Sequence, residues 1–597
     1  MIISALAKYY DCLAKMENSP LIPKGLSKVK ISYVAIINDL GELKAFIPHT
    51  KTAINGKKTF EVPIEEFFPE RVSTTKIEAN IIEHRPKYLF GIEFEFNDKK
   101  FKITKKSRNS FEACKEKNID FLSNIDCRIA KAMFNFFESW NPEENLDNFL
   151  FFGIAKDYNN SYFTFCLEDD NELINSDEQI LNKFDEQNHS NKNENNDIMS
   201  QCAISGEYKK IARIHDNLKE IHGANSSGCN IVCFKNNAVE SYGKENGYNA
   251  SISEEIMKKY TQAFNILSGN KKNKCVLGNM TILFWAETSK HQEDYTDMFS
   301  IVCGLNNRDI SDELSANIKR SFEILQKGKI PDISQIDLDE STKFYILGLT
   351  PNSSRLAIKM FLQNTFGEIL KNVHQHIEDF QIYENMKVPS THKILKELVS
   401  PKVDEKTPES TLVASYFNSI ITGQLYPQSM LSRIIIRIKT DQDDKKINFL
   451  KINDTRVGII KAYINRKNRI LKKGEMITMS LNRDSREKGY LCGRLFAVLE
   501  ILQKNAIGNV NSNIKSRFFG ACCSNPAMVF PRLIKLAQNH IDKLEKSAYF
   551  EMIISEIIDK LDSNFPKTLS IEDQGKFIIG YYHQNKDIYT RKEKDCE

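Results

Sequence analysis

Residues 344–363 read FYILGLTPNSSRLAIKMFLQ. The stretch begins with an apolar run typical of a buried strand and then reaches the turn residues Pro351 and Asn352. The remainder, up to Gln363, is predicted to be a helix. MTILFWAET, residues 280–288, has the composition of another buried strand, so Trp285 is expected in the core. Because strands and helical segments share this part of the chain, it predicts a mixed α/β region.

The segments before this stretch also predict strands, whereas those after it predict helices. Two β-rich runs flank an Asn-Asp-Leu-Gly turn in residues 29–48, and alternation in residues 88–96 indicates a half-buried strand. FLFFG and SYFTFCLED carry further strand signals, residues 111–140 look helical, and Ser251–Glu254 forms a capping-box pattern that starts another helix. From about residue 410 onward, apolar residues recur at the helical period. The predicted fold class is therefore α+β, a mixed α/β N-terminal body with a C-terminal helical bundle.

A chain of 597 residues is too long for a single core, so several regions are expected. An acidic, asparagine-rich stretch has too few apolar residues to fold alone and is predicted to be an exposed, mobile insert. The predicted regions are 1–167 (α/β), 168–200 (the insert), 201–400 (α/β), 401–475 (a basic, mostly helical connector) and 476–597 (the helical bundle).

Composition restricts the class of protein. Lysine and arginine number 83 against 79 acidic residues, so the net charge of +4 argues against a uniformly basic nucleic-acid coat but allows local basic patches. No stretch reaches the length of apolar sequence that a membrane span needs. The 13 cysteines include no Cys-x-x-Cys pair, which favours a reduced, cytoplasmic setting without structural zinc.

Catalytic motifs are missing from the sequence. It contains no phosphate-binding loop, dinucleotide fingerprint, nucleophile elbow or zinc-protease helix. The nearest pair is His215-Asp216, which a metal-dependent nuclease would use, but no further ligands complete a set locally. We therefore expect no enzyme, cofactor or metal, and keep the nuclease as an alternative.

A glycine- and serine-rich loop opens the stretch GANSSGCNIVCFKNNAVESYG, residues 223–243. Glycines permit close approach to a phosphate backbone, and small polar side chains add hydrogen-bond donors without bulk. A tight turn before a strand explains the same composition equally well. The candidate residues are Gly223, Asn225, Ser226, Ser227 and Gly228.

Long segments spread over the whole chain resemble one family, the large subunit of the type I-C CRISPR interference complex (Cascade). The matching blocks are residues 223–255, LGNMTILFWAE, FYILGLTPNSSRLAI, GYLCGRLFAVLE and QGKFIIGYYHQ, together with the opening MIISALAKYYD. The resemblance implies a non-catalytic, DNA-binding subunit of an antiviral ribonucleoprotein that contains crRNA, backbone subunits and an RNA-capping subunit. It also implies recognition of the protospacer-adjacent motif on duplex DNA, R-loop formation and recruitment of a helicase–nuclease. A structural scaffold that never touches DNA is the second alternative.

The resemblance also directs attention to residues 70–91, which we expect to form a motif-reading loop. Aligned back from the Tyr88 strand, Asn80 stands at a family asparagine, whereas Lys76 replaces a glycine and His84-Arg85 replace Asp-Asn. A solvated charged loop is the alternative interpretation. The candidate residues of this loop are Arg71, Lys76, Asn80, Arg85 and Lys87.

The C-terminal part carries a third basic pattern. Nine of the thirteen lysines and arginines from Arg433 to Lys473 are interleaved with apolar residues, either as a phosphate-tracking strip or as solvated helix faces. These nine are Arg433, Arg437, Arg456, Lys461, Arg466, Lys467, Arg469, Lys472 and Lys473. Four later residues are candidate backbone contacts along the displaced strand: Arg494, Lys515, Arg517 and Arg532.

The family further implies a second product of the same gene, a small helical subunit made by internal translation. Met476 and Met479 stand just before a self-contained run of predicted helices. The codons for residues 473–475 allow a purine-rich run upstream of either start. Two incidental methionines in an ordinary bundle are the alternative.

Overall fold

The chain forms two compact units in the computed structural model. The smaller unit spans residues 20–197, and the larger unit combines residues 1–19 with residues 198–597. Helix α1 (Ile2–Leu13) therefore belongs to the larger unit. The boundary after residue 197 falls inside the predicted insert. The structure describes all residues except 18, 24, 56–57, 71–76, 191–197, 235–236, 306–319, 321–322, 325–336, 385, 402, 404–406, 445–448, 509–512, 545–546, 563 and 595–597.

Short sheets build the described part of the smaller unit. Its strands are β1 (Leu26–Ile31), β2 (Tyr33–Ile37), β3 (Leu43–Pro48), β4 (Thr50–Asn55), β5 (Lys58–Pro69), β6 (Glu93–Glu95), β7 (Lys100–Lys102) and β8 (Phe163–Leu167). One sheet has the order β1-β5-β4, a second has the order β3-β2-β8, and β6 pairs with β7. The hairpin predicted around Asn38–Gly41 is confirmed as β2 and β3, and SYFTFCLED contains β8, which pairs with β2 in parallel.

Helices and aromatic side chains fill the core of the smaller unit. The helices are α2 (Pro86–Leu89), α3 (Lys105–Leu122), α4 (Arg128–Ser139), α5 (Phe149–Phe152) and α6 (Glu178–Ser190). Phe90 is fully buried and lies edge-on to Phe151, Phe163 and Phe136 at ring-centroid distances of 5.3, 5.4 and 6.2 Å. Such edge-to-face contacts are favourable for aromatic pairs.

Two strand predictions in this unit are wrong. Residues 88–96 begin inside helix α2, because Pro86 occupies its first turn and fixes a helical backbone, and they supply only the three-residue strand β6. FLFFG forms α5 instead of a strand, because the side chain of Asn148 accepts a hydrogen bond from the Leu150 amide at 3.1 Å and caps the helix. Short apolar runs do not distinguish strand from helix by periodicity alone.

The prediction of an exposed insert at 168–200 is wrong for its described part up to residue 187. Ile180 and Phe184 lie one turn apart on α6, and they are buried at 1% and 6% exposure. Both side chains join the core cluster of the smaller unit together with Ile174, at 2% exposure. Overall composition concealed this face, because a few apolar residues at helical spacing suffice to anchor a short helix.

A four-stranded antiparallel sheet organises the N-terminal half of the larger unit. Its strands are β11 (Lys274–Leu277), β12 (Met280–Ala286), β13 (Lys343–Asn352) and β14 (Arg355–Thr365), preceded in the chain by the short strands β9 (Met199–Gln201) and β10 (Tyr208–Lys210). The strands predicted at 280–288 and at 344 onward are confirmed. The helix predicted for the end of the opening stretch is wrong. Residues 355–365 pair with β13 as a hairpin instead, and helix begins only at Phe366, where the Thr365 side chain caps it.

Both faces of this sheet are covered. On one face, Trp285 stacks on Tyr345 at 5.2 Å and contacts Tyr9 of α1 at 6.1 Å, so its predicted place in the core is confirmed. On the other face, Phe284 packs on Phe299 at 4.8 Å. The helices around the sheet are α7 (Glu254–Gly269), which is capped by Ser253 rather than Ser251, and α8 (Gln292–Val302).

Helices dominate the rest of the larger unit, as predicted. They are α9 (Phe366–Phe380), α10 (Thr391–Glu397), α11 (Ser410–Thr422), α12 (Gln428–Thr440), α13 (Asp454–Leu471), α14 (Lys488–Ile507), α15 (Ile514–Ser524), α16 (Pro526–Ile541), α17 (Ala548–Lys560) and α18 (Ile571–Lys594). Among the described residues, no helix combines the length and apolar character of a membrane span. Every described cysteine is a free thiol.

Helices α14 and α18 approach each other to backbone contact. An ideal Cβ on Gly493 would lie 1.9 Å from the carbonyl oxygen of Phe577, and one on Gly580 would lie 2.1 Å from that of Tyr490. Gly489 meets the Asp573 carbonyl in the same way, at 2.4 Å. Glycine is therefore required at these positions by the space available, since both helices have ordinary helical backbones.

The core position of α6 predicts a specific loss of stability. Phe184→Ala removes a buried aromatic ring and should destabilise the smaller unit by about 3–5 kcal/mol. Phe149→Ala is the matched control, because this ring is 79% exposed. Thermal unfolding followed by calorimetry measures both. Equal midpoints for the two variants would contradict the packing of α6.

The α14–α18 contact predicts opposite effects for two glycine-to-alanine changes. Gly493→Ala places a methyl group against a backbone carbonyl and should cost at least about 1–3 kcal/mol. Gly520 lies in α15, and outside the backbone of its own helix no described residue comes within 4 Å of its Cβ position. Gly520→Ala should therefore stabilise by about 0.5–1 kcal/mol through helix propensity. Denaturant midpoints test the pair, and a Gly493→Ala variant as stable as the parent would refute the close approach.

Candidate nucleic-acid interface

The glycine- and serine-rich loop is an ordered turn on the surface of the larger unit. The Gly228 amide donates to the Asn225 carbonyl at 2.9 Å, and the Asn217 side-chain amide donates to the Ser227 carbonyl at 2.8 Å. Gly228 has φ +88°, and a Cβ there would lie 2.6 Å from the Leu218 carbonyl oxygen. Only glycine fits that position. The predicted role of Gly228 as a turn former is therefore visible in its geometry.

The polar groups of this turn face outward. Gly223, Asn225, Ser226 and Ser227 are exposed, whereas Gly228 is buried. Within the described part of the chain, the hydroxyls of Ser226 and Ser227 and their backbone amides have no hydrogen-bond partner. The turn thus presents a group of open donors of the kind that bind phosphate oxygens.

A second turn of nearly the same sequence lies against the first. Asn225-Ser-Ser-Gly is matched by Asn352-Ser-Ser-Arg at the tip of the β13–β14 hairpin. The Asn230 amide donates to the Ser354 carbonyl at 3.1 Å, and the Leu356 amide donates to the Asn230 carbonyl at 3.3 Å. These bonds tie the hairpin tip to the segment that directly follows the first turn. We call residues 223–228 and 352–355 together the paired-turn surface.

Arg355 gives the paired-turn surface a positive charge. Its side chain is exposed and has no ion pair within the residues that the structure describes. Asn352 and Ser353 beside it are exposed as well. Amide donors, hydroxyls and a guanidinium on one surface are the groups that position a protein on a nucleic-acid backbone.

The described part of the 70–91 segment is mostly internal. Asn80 and Arg85 are both 8% exposed, and the Arg85 guanidinium donates to the Glu83 carboxylate at 2.5 and 2.8 Å and lies 3.6 Å from the Tyr88 ring. Burial opposes the charged form of Glu83, but the hydrogen bonds and positive charge of Arg85 outweigh this effect. The pKa of Glu83 is therefore lowered. Asn80 and Arg85 therefore have structural contacts, and neither reaches a base edge while buried. Lys87 is half-buried, and Arg71 and Lys76 lie outside the described residues.

The four C-terminal candidates occupy different environments. Arg494 is 1% exposed, and its guanidinium donates to Gln584 Oε1 at 2.9 Å and pairs with Glu556 at 3.3 Å. The structure thus places the Arg494 side chain between helices α14, α17 and α18. Lys515 is paired with Asp443 at 3.0 Å at a cavity rim, whereas Arg517 and Arg532 are exposed.

Most of the nine basic residues of the strip between Arg433 and Lys473 are buried or paired with carboxylates, which neither predicted interpretation anticipated. Arg456, Lys461 and Arg466 are 1%, 3% and 0% exposed. Arg456 pairs with Glu397 at 2.6 Å, and Arg466 with Asp379 at 3.4 Å. Ion pairs with carboxylates are also formed by Arg433, Arg437, Lys467 and Arg469. Lys472 and Lys473 are exposed.

The pair His215-Asp216 does not form a common site. His215 is 4% exposed, and its Nδ1 lies 2.7 Å from the Tyr260 hydroxyl. Burial lowers the pKa of His215 to about 4. Asp216 is exposed. No cluster of three or more potential metal ligands occurs among the described residues.

Sequence reasoning missed the hairpin tip as part of the candidate interface. The signal was present, because Asn-Ser-Ser occurs at both 225–227 and 352–354. Predicting residues 355–363 as a helix concealed it, since a helix would have carried Arg355 away from the first turn.

Comparison with known families identifies the chain. The model of the family described as CRISPR-associated protein (Cas_Csd1) matches residues 6–589. No curated protein matches the chain. The family match covers both compact units and includes both turns of the paired-turn surface. The chain belongs to the Cas_Csd1 family of CRISPR-associated proteins.

Proposed function

We propose that this chain is the non-catalytic large subunit of a type I-C, crRNA-guided surveillance complex in the cytoplasm. It recognises the protospacer-adjacent motif on duplex DNA and helps to open the duplex. Base pairing with the guide RNA supplies the long sequence specificity, whereas the protein supplies motif recognition and contacts with the DNA backbone. Backbone and RNA-capping subunits and a helicase–nuclease are its expected partners. Membership of the Cas_Csd1 family supports this role.

The paired-turn surface is the observation that carries the proposal. Its open amides and hydroxyls can donate hydrogen bonds to phosphate and sugar oxygens, and Arg355 adds a positive charge that attracts phosphate. A rigid turn loses little conformational entropy on binding. Gly228 and the Asn217 side chain hold the first turn in place before any DNA arrives.

The 70–91 segment remains the proposed reader of the DNA motif, but fewer of its residues remain candidates for contact with the DNA. Lys87 is half-buried at the surface, and Arg71 and Lys76 keep the role expected for them from the sequence. Base reading by Asn80 would require the 78–85 turn to open. Arg517 and Arg532 are the exposed candidates for contacts with the displaced strand.

A small helical subunit from internal translation is the second part of the proposal. Met476 and Met479 lie between α13 and α14, so either start leaves every helix from α14 onward intact. The product would retain the close α14–α18 contact. It would also expose the face of α18 that meets α13, where Gly575 lies against Ile460. A partner protein in the complex is expected to cover that face.

Removing the charge of the paired-turn surface should weaken target capture without changing motif preference. Arg355→Ala loses about one phosphate contact, so log affinity plotted against log salt should become shallower by about 1. Filter binding of the assembled complex over a salt series measures the slope. Arg108→Ala is the matched control, because Arg108 is 54% exposed in the smaller unit.

Gly228→Ala tests the turn itself in the same assay. The strained turn should weaken capture while the salt slope stays as in the parent, since no charge is lost. If neither Arg355→Ala nor Gly228→Ala changes target binding, the paired-turn surface does not touch DNA and the scaffold alternative is favoured.

The internal start predicts a second species in the complex purified from its native gene. Mass spectrometry should find a fragment that begins at residue 476 or 479 and shares the C-terminus of the full-length chain. Leucine codons at both methionines should remove this species, whereas a leucine codon at Met528, which is 81% exposed, should leave it. Absence of the fragment from the unaltered complex would refute the proposal.

A further inference from the structure

A cavity of about 250 Å³ opens beside α18 in the larger unit. Its wall combines tyrosines of α18 with the apolar side chains of Leu450 and Ile452. The volume lies just below the roughly 300–1,000 Å³ of typical small-ligand pockets. The cavity therefore suits a flat group about the size of one nucleobase better than a larger ligand. Its other lining residues are Lys515, Tyr581, Tyr582, Asn585, Lys586, Tyr589 and Thr590.

The tyrosines of the cavity are held at different depths. Tyr582 is 9% exposed and donates its hydroxyl to Asp454 at 2.8 Å. Tyr581 is 6% exposed and donates to Glu500 at 2.7 Å. Tyr589 lies at the mouth with 41% of its surface exposed, and its hydroxyl accepts from Lys504 at 3.1 Å. Two rings thus form a fixed wall, and the third is open to a stacking partner.

Two lysines carry the charge of the cavity lining. Lys515 and Lys586 line it, and none of the described lining residues is a carboxylate, although Lys515 is paired with Asp443 outside the lining. The Lys586 ammonium lies over the rings of Tyr383 at 4.0 Å and Tyr582 at 5.0 Å. It has no ion pair within the described residues. A cation held against rings, but not neutralised by an acid, remains available to an anionic ligand.

An ion pair beside the cavity restrains the position of Lys515. Its ammonium pairs with Asp443 at 3.0 Å, and the amide of Lys451 donates to the other oxygen of that carboxylate at 2.8 Å. Burial opposes the charged form of Asp443, but the Lys451 amide and Lys515 outweigh it and lower its pKa. Lys515 is therefore a restrained cation at the rim.

We propose that this cavity takes one unstacked nucleotide of single-stranded DNA, with its base against the tyrosine rings and its phosphate between Lys515 and Lys586. Aromatic platforms combined with lysines are how proteins bind single strands without reading their sequence. Asn585 adds an amide that can bond to a base edge. The choice of DNA rests on the proposed function, since duplex opening releases a displaced strand.

The test uses the full chain and an unstructured single-stranded DNA oligonucleotide that carries one 2-aminopurine. Stacking on the tyrosines quenches the fluorescence of this base, so a titration reports both affinity and stacking. Tyr589→Ala should weaken binding on the order of 5- to 100-fold and remove the quenching. Tyr589→Phe should retain both, because it keeps the ring. Tyr208→Ala is the matched control, with a 71% exposed ring away from the cavity lining.

Lys586→Gln should weaken binding and make its salt dependence shallower, because one phosphate contact is lost. Parent-like affinity and quenching in both Tyr589→Ala and Lys586→Gln would overturn the proposal. Tighter binding of an RNA oligonucleotide of the same sequence would overturn the assignment to DNA. Competition by free adenosine monophosphate at equal concentration would identify a mononucleotide site instead. None of these readouts involves the paired-turn surface, so they stay separate from a failure of the proposed function.

Discussion

The contact between α14 and α18 is the constraint on which the C-terminal half of the structure depends. Gly489, Gly493 and Gly580 carry no side chains, and the two backbones therefore meet at distances that a Cβ would forbid. Close approach allows weak Cα–H···O contacts and dense packing along the helices. Helix α18 carries the buried rings of Tyr581 and Tyr582 and, two turns later, the exposed ring of Tyr589. The cavity beside Tyr582 and Tyr589 therefore depends on this glycine contact.

Many of the basic residues of the chain form contacts inside the protein. Arg456, Arg466 and Arg494 are among the largest fully buried side chains, and each is paired with a carboxylate. Buried pairs of this kind contribute little net stability, but removal of one partner leaves an unpaired charge and costs much more. They therefore fix how the helices pack together. The surfaces left for nucleic acid are smaller than the number of basic residues suggests.

Much of the architecture was predictable from sequence, and the failures have physical causes. The hairpin of β2 and β3, strand β12, Trp285 in the core and the C-terminal helices followed from turn chemistry and periodicity. Three other elements were not predictable in this way. A helix cap decided the structure of FLFFG, a strand partner decided that of residues 355–363, and two core contacts decided that of the α6 segment. For the site, the exposed donors of Ser226 and Ser227 agree with the composition of the loop. The burial of Asn80 and Arg494 involves Asn118 and Gln584, which are distant in the chain, and Arg85 folds back on its neighbour Glu83. Such contacts are not evident from the sequence.

The central claim is that the paired-turn surface lies on the DNA backbone beside the motif. The most direct measurement is an electron cryo-microscopy structure of the assembled complex on a target duplex that carries the motif. The account predicts phosphate density within hydrogen-bond distance of the Ser226 and Ser227 amides and of the Arg355 guanidinium. A bound duplex that leaves this surface facing solvent or another subunit would contradict it.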